Sequence, residues 1–262
     1  MGFLSDFIRS LPLYLLSLPV VLMALSVHES AHGYAALRLG DPTARNLGRI
    51  TLNPAKHFDL LGFISMLIFH IGWAKPVPIN TRHFQKPRRD MAITGAAGPL
   101  SNLCLAIIHL LILRIAMIFV VETFSDETVL FFLAHSSGDA FTGSLPFTIV
   151  ALILYVLYMG VVMNIVLTVF NLIPIPPFDG SRIFYAFLPP KWYFGVMKYE
   201  RIIMLAFIFL FFISVNLNFN PLGQLESWII NGLFTVTGMG PSSNELGVLS
   251  WMLFYIEELI AL

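Results

Sequence analysis

Charge is scarce in this chain and cysteine is nearly absent. Of its 262 residues only 11% are Asp, Glu, Lys or Arg, against 57% hydrophobic. A soluble domain of this length cannot bury that much apolar surface, because its interior grows too slowly relative to its surface. The bilayer is the solvent that removes the difficulty. The few charges also cancel, 15 basic against 15 acidic, so there is no basic field to hold nucleic acid. Cys104 is the only cysteine. It excludes an intramolecular disulfide and any cysteine-based metal cluster, and within its apolar run it reads as a small buried hydrophobe.

What the chain has instead is long apolar runs. Leu11 to Val27 is apolar, and its helical pattern continues to about Leu39. It reads as a helix rather than a cleaved leader, because no small-residue cleavage site follows it. Leu60 to Trp73 is apolar but short for a span. Met91 to Val121 is long and interrupted by Gly95, Gly98 and Pro99. Leu145 to Asn171 is long and clean. Ile202 to Val215 is short and strongly apolar, and Val248 to Leu262 spans weakly or lies in the interface. The predicted fold is therefore an all-α polytopic membrane protein with about 4–6 membrane-embedded helices. No internal repeat or long linker divides it, so it reads as one domain over 1–262, with a core at about 11–201 and an extra helix and tail at 202–262.

The charges fix an orientation. Thirteen of the fifteen Lys and Arg fall in three groups: 38 to 56, 75 to 89, and 182 to 201. Glu122 to Ser144 and everything after Val215 carry acidic residues and no Lys or Arg. Basic loops stay cytoplasmic. The N-terminus is then outside, and the first helix crosses inward. Leu60 to Trp73, with basic loops on both sides, dips in and returns as a re-entrant segment. The tail is outside. Irregular backbone at membrane depth survives only where protein or a wet cavity shelters it.

The first helix ends in SVHESAHGYAALRLGD. His28 and His32, at i and i+4, share one helix face and can reach a single ion. Glu29 flanks that face and can take a proton from a metal-bound water. Two imidazoles and a carboxylate suit zinc, one ion per chain, with a fourth position left for water. Three ionisable residues within one turn of an apolar helix are costly and imply a function or a partner. The alternative is a patch of polar residues at a helix end.

A third ligand comes from NIVLTVFNLIPIPPFDGSR. Pro174, Pro176 and Pro177 stop the helix after Asn171. Asp179 follows, and the charge-derived topology puts it at the same, cytoplasmic depth as His28 and His32. Alone it would read as an Asp-Gly turn residue. Asn164 and Asn171 lie seven apart on one helix face. Asn171, beside the break, can donate to a substrate backbone or a developing oxyanion, or either amide can hold helices together. His57 with Asp59, His70, His83 and His135 read as ordinary polar residues. His109 and Arg114 face the protein interior, and Arg82, Lys86, Arg88 and Arg89 anchor the topology near lipid headgroups.

These motifs resemble the site-2 proteases, the intramembrane zinc metallopeptidases, in particular their short bacterial members without regulatory domains. The resemblance rests on His28-Glu29-Ser30-Ala31-His32, Asn171 to Pro174, and Phe178-Asp179-Gly180. Gly98 to Asn102, Leu39 to Thr43, and Leu52-Asn53-Pro54 to His57 extend it. It implies that His28, His32 and Asp179 ligate zinc, that Glu29 is the catalytic acid/base, and that Asn171 contacts substrate. The expected partners are the lipid bilayer and a transmembrane protein substrate. The chain would sit in a cell membrane with its active site towards the cytoplasm. Such a substrate must unwind locally, and a short β element near the site, with Leu47 to Leu52 as its edge, could receive it. The rival reading is a membrane metal transporter or sensor using the same His and Asp ligands.

Overall fold

The computed structural model describes residues 3–69, 73–123, 145–216 and 221–239. Every regular element among them is helical. The order is α1 (Phe3–Arg38), α2 (Thr43–Asn46), a 3-10 turn (Pro54–Lys56), α3 (Leu60–Phe69), a second 3-10 turn (Thr81–His83), α4 (Pro87–Thr123), α5 (Leu145–Asn171), α6 (Asp179–Tyr185), α7 (Pro190–Lys198), α8 (Glu200–Asn216) and α9 (Pro221–Val236). Among the described residues three helical stretches are long and apolar enough to cross a membrane: Leu15–Arg38, Pro87–Val120 and Ile149–Asn171. They are the first, third and fourth apolar runs of the sequence. The 10 residues of α3 and the 17 of α8 fall short of the roughly 20 that a bilayer core requires. The return of the expected re-entrant segment, with His70, lies outside the described residues. So do 124–144, with His135, and the run from Val248 to Leu262.

Three expectations are corrected. Cys104 is exposed on α4 and not buried in its apolar run. No β element forms near the site among the described residues, and the stretch from Leu47 to Leu52 is turn and bend. Its backbone is already committed. The Thr51 carbonyl accepts from Ser30 Oγ at 2.6 Å and His57 Nε2 at 2.9 Å, and the Thr51 N–H donates to Ser30 Oγ at 3.1 Å. An edge strand needs those groups free. Nor do Gly95, Gly98 and Pro99 interrupt a helix. α4 runs through them unbroken, and the two glycines serve close approach instead. α9 lies in the tail, over residues that composition had left unmarked.

The chain divides into two compact units, 21–105 with 164–227, and 1–20 with 106–163 and 228–262. The second unit is packed from apolar side chains. Leu110, Leu113, Met117, Leu154, Phe234 and Met239 are buried in it. His109 faces the interior as expected: a Cβ on Gly160 would stand 2.2 Å from its ring Cδ2, so the imidazole lies flush against bare backbone. The Arg114 guanidinium lies near Gly238.

The first unit holds most of the buried polar residues. In it Arg88, expected only as part of a topology anchor, makes structural bonds. Arg88 Nη2 donates to the carbonyls of Ala186, at 2.7 Å, and Leu188. These oxygens follow the end of α6, where a helix leaves acceptors unfilled. The contact ties α6 to the start of α4.

Candidate metal centre

His28 and His32 lie one turn apart on α1, 4% and 6% exposed. Asp179 opens α6. The chain leaves helical geometry after Asn171, crosses Leu172 to Phe178 with its three prolines, and re-enters a helix at Asp179, with Phe178 extended before it. The crossing is tight. A Cβ on Gly180 would stand 2.3 Å from the Leu172 carbonyl oxygen, so only glycine lets the turn close and carry Asp179 inward.

Three ligand atoms meet here. Asp179 Oδ2 lies 3.0 Å from His28 Nε2 and 3.1 Å from His32 Nε2, and the two Nε2 atoms are 3.0 Å apart. The other ring nitrogens are spoken for. His32 Nδ1 lies 2.7 Å from the Thr94 carbonyl, which can only accept, so Nδ1 carries the proton. His28 Nδ1 lies 2.5 Å from Asn102 Oδ1. The Asn102 amide nitrogen donates to the Ala24 carbonyl at 3.2 Å and to Asn164 Oδ1 at 2.8 Å, which turns Oδ1 towards His28 as an acceptor. Both Nε2 atoms therefore present lone pairs to one another and to Asp179. Two lone pairs and an anionic oxygen at one point need a cation. His28, His32 and Asp179 form a group able to hold one.

The space beside them is kept by Gly98. A Cβ there would stand 2.4 Å from His32 Nε2 and 2.6 Å from His28 Cε1. Glu29 lies beside the ligands, and its Oε2 accepts from the Val77 N–H at 2.8 Å.

The whole sequence from residue 17 to 217 matches the family model described as Peptidase family M50. The chain belongs to that family, the site-2 protease family its motifs resemble. Among its relatives is YwhC of Bacillus subtilis strain 168, a proposed zinc metalloprotease. The two are 36% identical over 209 residues, 79% of this chain and 82% of the relative. Rip2 of Mycolicibacterium smegmatis, another proposed zinc metalloprotease, is 32% identical over 187 residues, 67% of this chain and 60% of Rip2. No solved structure gives a significant match. Membership in M50 makes the chain a membrane protease and leaves the transporter reading unsupported.

The geometry brings His28, His32 and Asp179 together, with Glu29 adjacent. Asn171 is not joined to them by a hydrogen bond; its amide donates to the Leu167 carbonyl of its own helix at 2.9 Å. The polar residues that do reach the imidazoles are Thr94 and Asn102, with Asn164 behind them. Asn102 sits inside a quoted family motif, yet spacing alone assigned it nothing. The available signal was an amide in an apolar helix, which needs a partner. His57 is an ordinary hydrogen-bonded residue, its Nε2 paired with the Thr51 carbonyl.

Proposed function

We propose that this chain is an intramembrane zinc endopeptidase acting on transmembrane proteins, with His28, His32 and Asp179 as zinc ligands and Glu29 as acid/base. The carrying observation is the convergence of two imidazole lone pairs and one carboxylate oxygen within 3.1 Å, beside a glycine that keeps the space clear. The donor set fits zinc, which accepts imidazole and carboxylate together. Bound there, zinc would polarise the scissile carbonyl and acidify a water.

The rest of the chemistry belongs to the chain. Glu29 takes a proton from the attacking water and returns it to the departing amine. Its Oε2 is held by Val77, and among the described residues no other donor reaches the carboxylate, so Oε1 is the oxygen left to exchange the proton. Asn102 and Thr94 fix the imidazole tautomers. Asn171, at the end of α5 beside the turn that delivers Asp179, is the proposed contact for the substrate backbone once it releases Leu167.

The distribution of Lys and Arg supports an N-terminus outside the cell and a site opening towards the cytoplasm. Under that topology α3 and its continuation form the re-entrant segment, and α8 carries the chain outward. A single domain with its catalytic core at about 11–201 is part of the same reading. The test is Glu29→Gln, purified beside wild type and assayed for bound zinc and for cleavage of a labelled single-span polypeptide in liposomes. One zinc in each and cutting in wild type alone is the expected result. Equal cutting by both ends the assignment of Glu29.

A further inference from the structure

Residues 73–80, WAKPVPIN, run without helix or strand between α3 and the second 3-10 turn. They form a strap whose backbone is held at successive points. The Lys75 N–H donates to the His57 carbonyl at 2.8 Å. Arg49 Nη2 donates to the carbonyls of Lys75 at 2.7 Å and Pro76 at 3.2 Å. The Val77 N–H reaches Glu29 Oε2, and the Asn80 N–H reaches Asp41 Oδ2 at 2.7 Å. Pro76 and Pro78 have no N–H to offer. α1 therefore meets the strap through Glu29, inside the helix, and again through Asp41, just past its end.

Asp41 is a costly residue to place there. It is fully buried, and a carboxylate leaves water only when donors replace its hydration. Its donors come from both chain segments: the Thr43 N–H at 3.0 Å and the Thr43 hydroxyl on one side, the Asn80 N–H and His83 Nδ1 at 2.8 Å on the other. Asp41 is itself locked to α1, its N–H donating to the Ala36 carbonyl at 2.9 Å. Burial pushes the carboxyl up, but the bonds from Thr43, Asn80 and His83 outweigh it and hold it below the usual carboxylate range. Asn80 lies three chain steps beyond Val77, an extended reach of about 10 Å. A strap fixed at Asn80 and at Lys75 has little freedom at Val77.

We infer that Asp41 is a positioning residue for proteolysis: by anchoring the strap at Asn80 and His83 it sets where the Val77 N–H holds Glu29. This rests on the reading of Glu29 as acid/base. Asp41 touches neither substrate nor metal. It acts through the strap, and its loss should lower turnover while leaving zinc and substrate binding alone.

The test uses the full chain in liposomes with the single-span polypeptide that wild type cuts. Asp41→Asn places an amide N–H where a donor now points. It is expected to lower kcat by about 10- to 100-fold, the scale of a catalytic group misplaced by an ångström, with KM within about 2-fold and zinc unchanged. Val77→Pro deletes the tether N–H in a segment already flanked by prolines, and is expected to lower kcat by a similar factor. The double variant should be no worse than either single one, because both break one path. Should Asp41→Asn fail to accumulate, Asn80→Pro removes the same donor while Thr43 and His83 stay on Asp41, and carries the same expectation. Glu29→Gln is the control. If it abolishes cutting while Asp41→Asn, or Asn80→Pro in its place, leaves kcat intact, the strap inference is overturned and Glu29 keeps its role. Losses that multiply in the double variant also overturn it. If Glu29→Gln cuts normally, the base assignment fails first.

Discussion

α4 contrasts two ways of using one buried stripe. Between residues 94 and 102 its inward positions are Thr94, Gly95, Gly98, Pro99 and Asn102. From 106 onward they are Ala106, Leu110, Leu113, Met117 and Val120, recurring every three or four residues. The second set is the ordinary apolar stripe of a packed helix. The first keeps the helical period and gives up the apolar side chains. A missing Cβ at Gly98 makes room beside two imidazoles, a carbonyl at Thr94 sets one tautomer, and the amide of Asn102 sets the other. The division between the compact units falls between residues 105 and 106, where this change occurs. A helix can therefore pack along its length and still reserve one end for chemistry.

The strongest way to break the contrast is to press a methyl group against each half, from Gly98 on α4 and from Gly160 on α5. Gly98→Ala puts a carbon against His28 and His32, and Gly160→Ala puts one against His109. Gly98→Ala is expected to abolish stoichiometric zinc binding and cleavage. Gly160→Ala should keep one zinc per chain and cost about 1–3 kcal/mol in stability, the usual penalty of overpacking. Metal analysis and thermal unfolding of the two purified variants decide it. Zinc retained in Gly98→Ala would mean that the cleared space serves something other than the ligand atoms.

Asn102 sharpens the comparison. Asn102→Leu extends the apolar stripe into the site half and removes the acceptor of His28 Nδ1. Loss of such a partner to a ligating imidazole costs about 10- to 100-fold in metal affinity, read here as the free zinc at half-occupancy. Asn102→Asp keeps an acceptor at that position and should restore most of the affinity. If both variants bind zinc like wild type, the hydrogen bond to His28 is incidental.

The meeting of His28, His32 and Asp179 was legible in the sequence because its signals are local. The i, i+4 spacing of His28 and His32 can be counted, the prolines before Asp179 end a helix wherever they occur, and the arrangement of Lys and Arg gave the three a common depth. What stayed hidden depends on distant partners. Asn102 bonds a carbonyl 78 residues away and an amide 62 residues away, and no pattern in a single chain announces either. Gly95 and Gly98 looked like interruptions, since a glycine that breaks a helix and one that admits a neighbour are the same letter. Leu47 to Leu52 has strand-like composition, but Ser30 and His57 claim the backbone of Thr51. α9 escaped notice because its apolar residues alternate with polar ones in a tail without basic markers.

The smallest expected effect tests whether the site half is held by charge or by shape. Arg182 Nη2 lies 2.9 Å from Glu200 Oε1, joining α6, which bears Asp179, to the start of α8. Both side chains remain partly exposed, 25% and 32%, and pairs in that setting contribute about 0–1 kcal/mol, less in salt. Other supports of α6 are steric and directional, among them the tight turn at Gly180, the Arg88 bonds to Ala186 and Leu188, and the Tyr185 hydroxyl on the Pro174 carbonyl. Glu200→Gln should therefore lower stability by less than about 1 kcal/mol, with the difference shrinking as ionic strength rises. Zinc affinity should be unchanged, because none of those steric supports involves Glu200. A fall in zinc affinity that salt mimics in wild type would show that the ion pair, and not the closed turn, sets the position of Asp179.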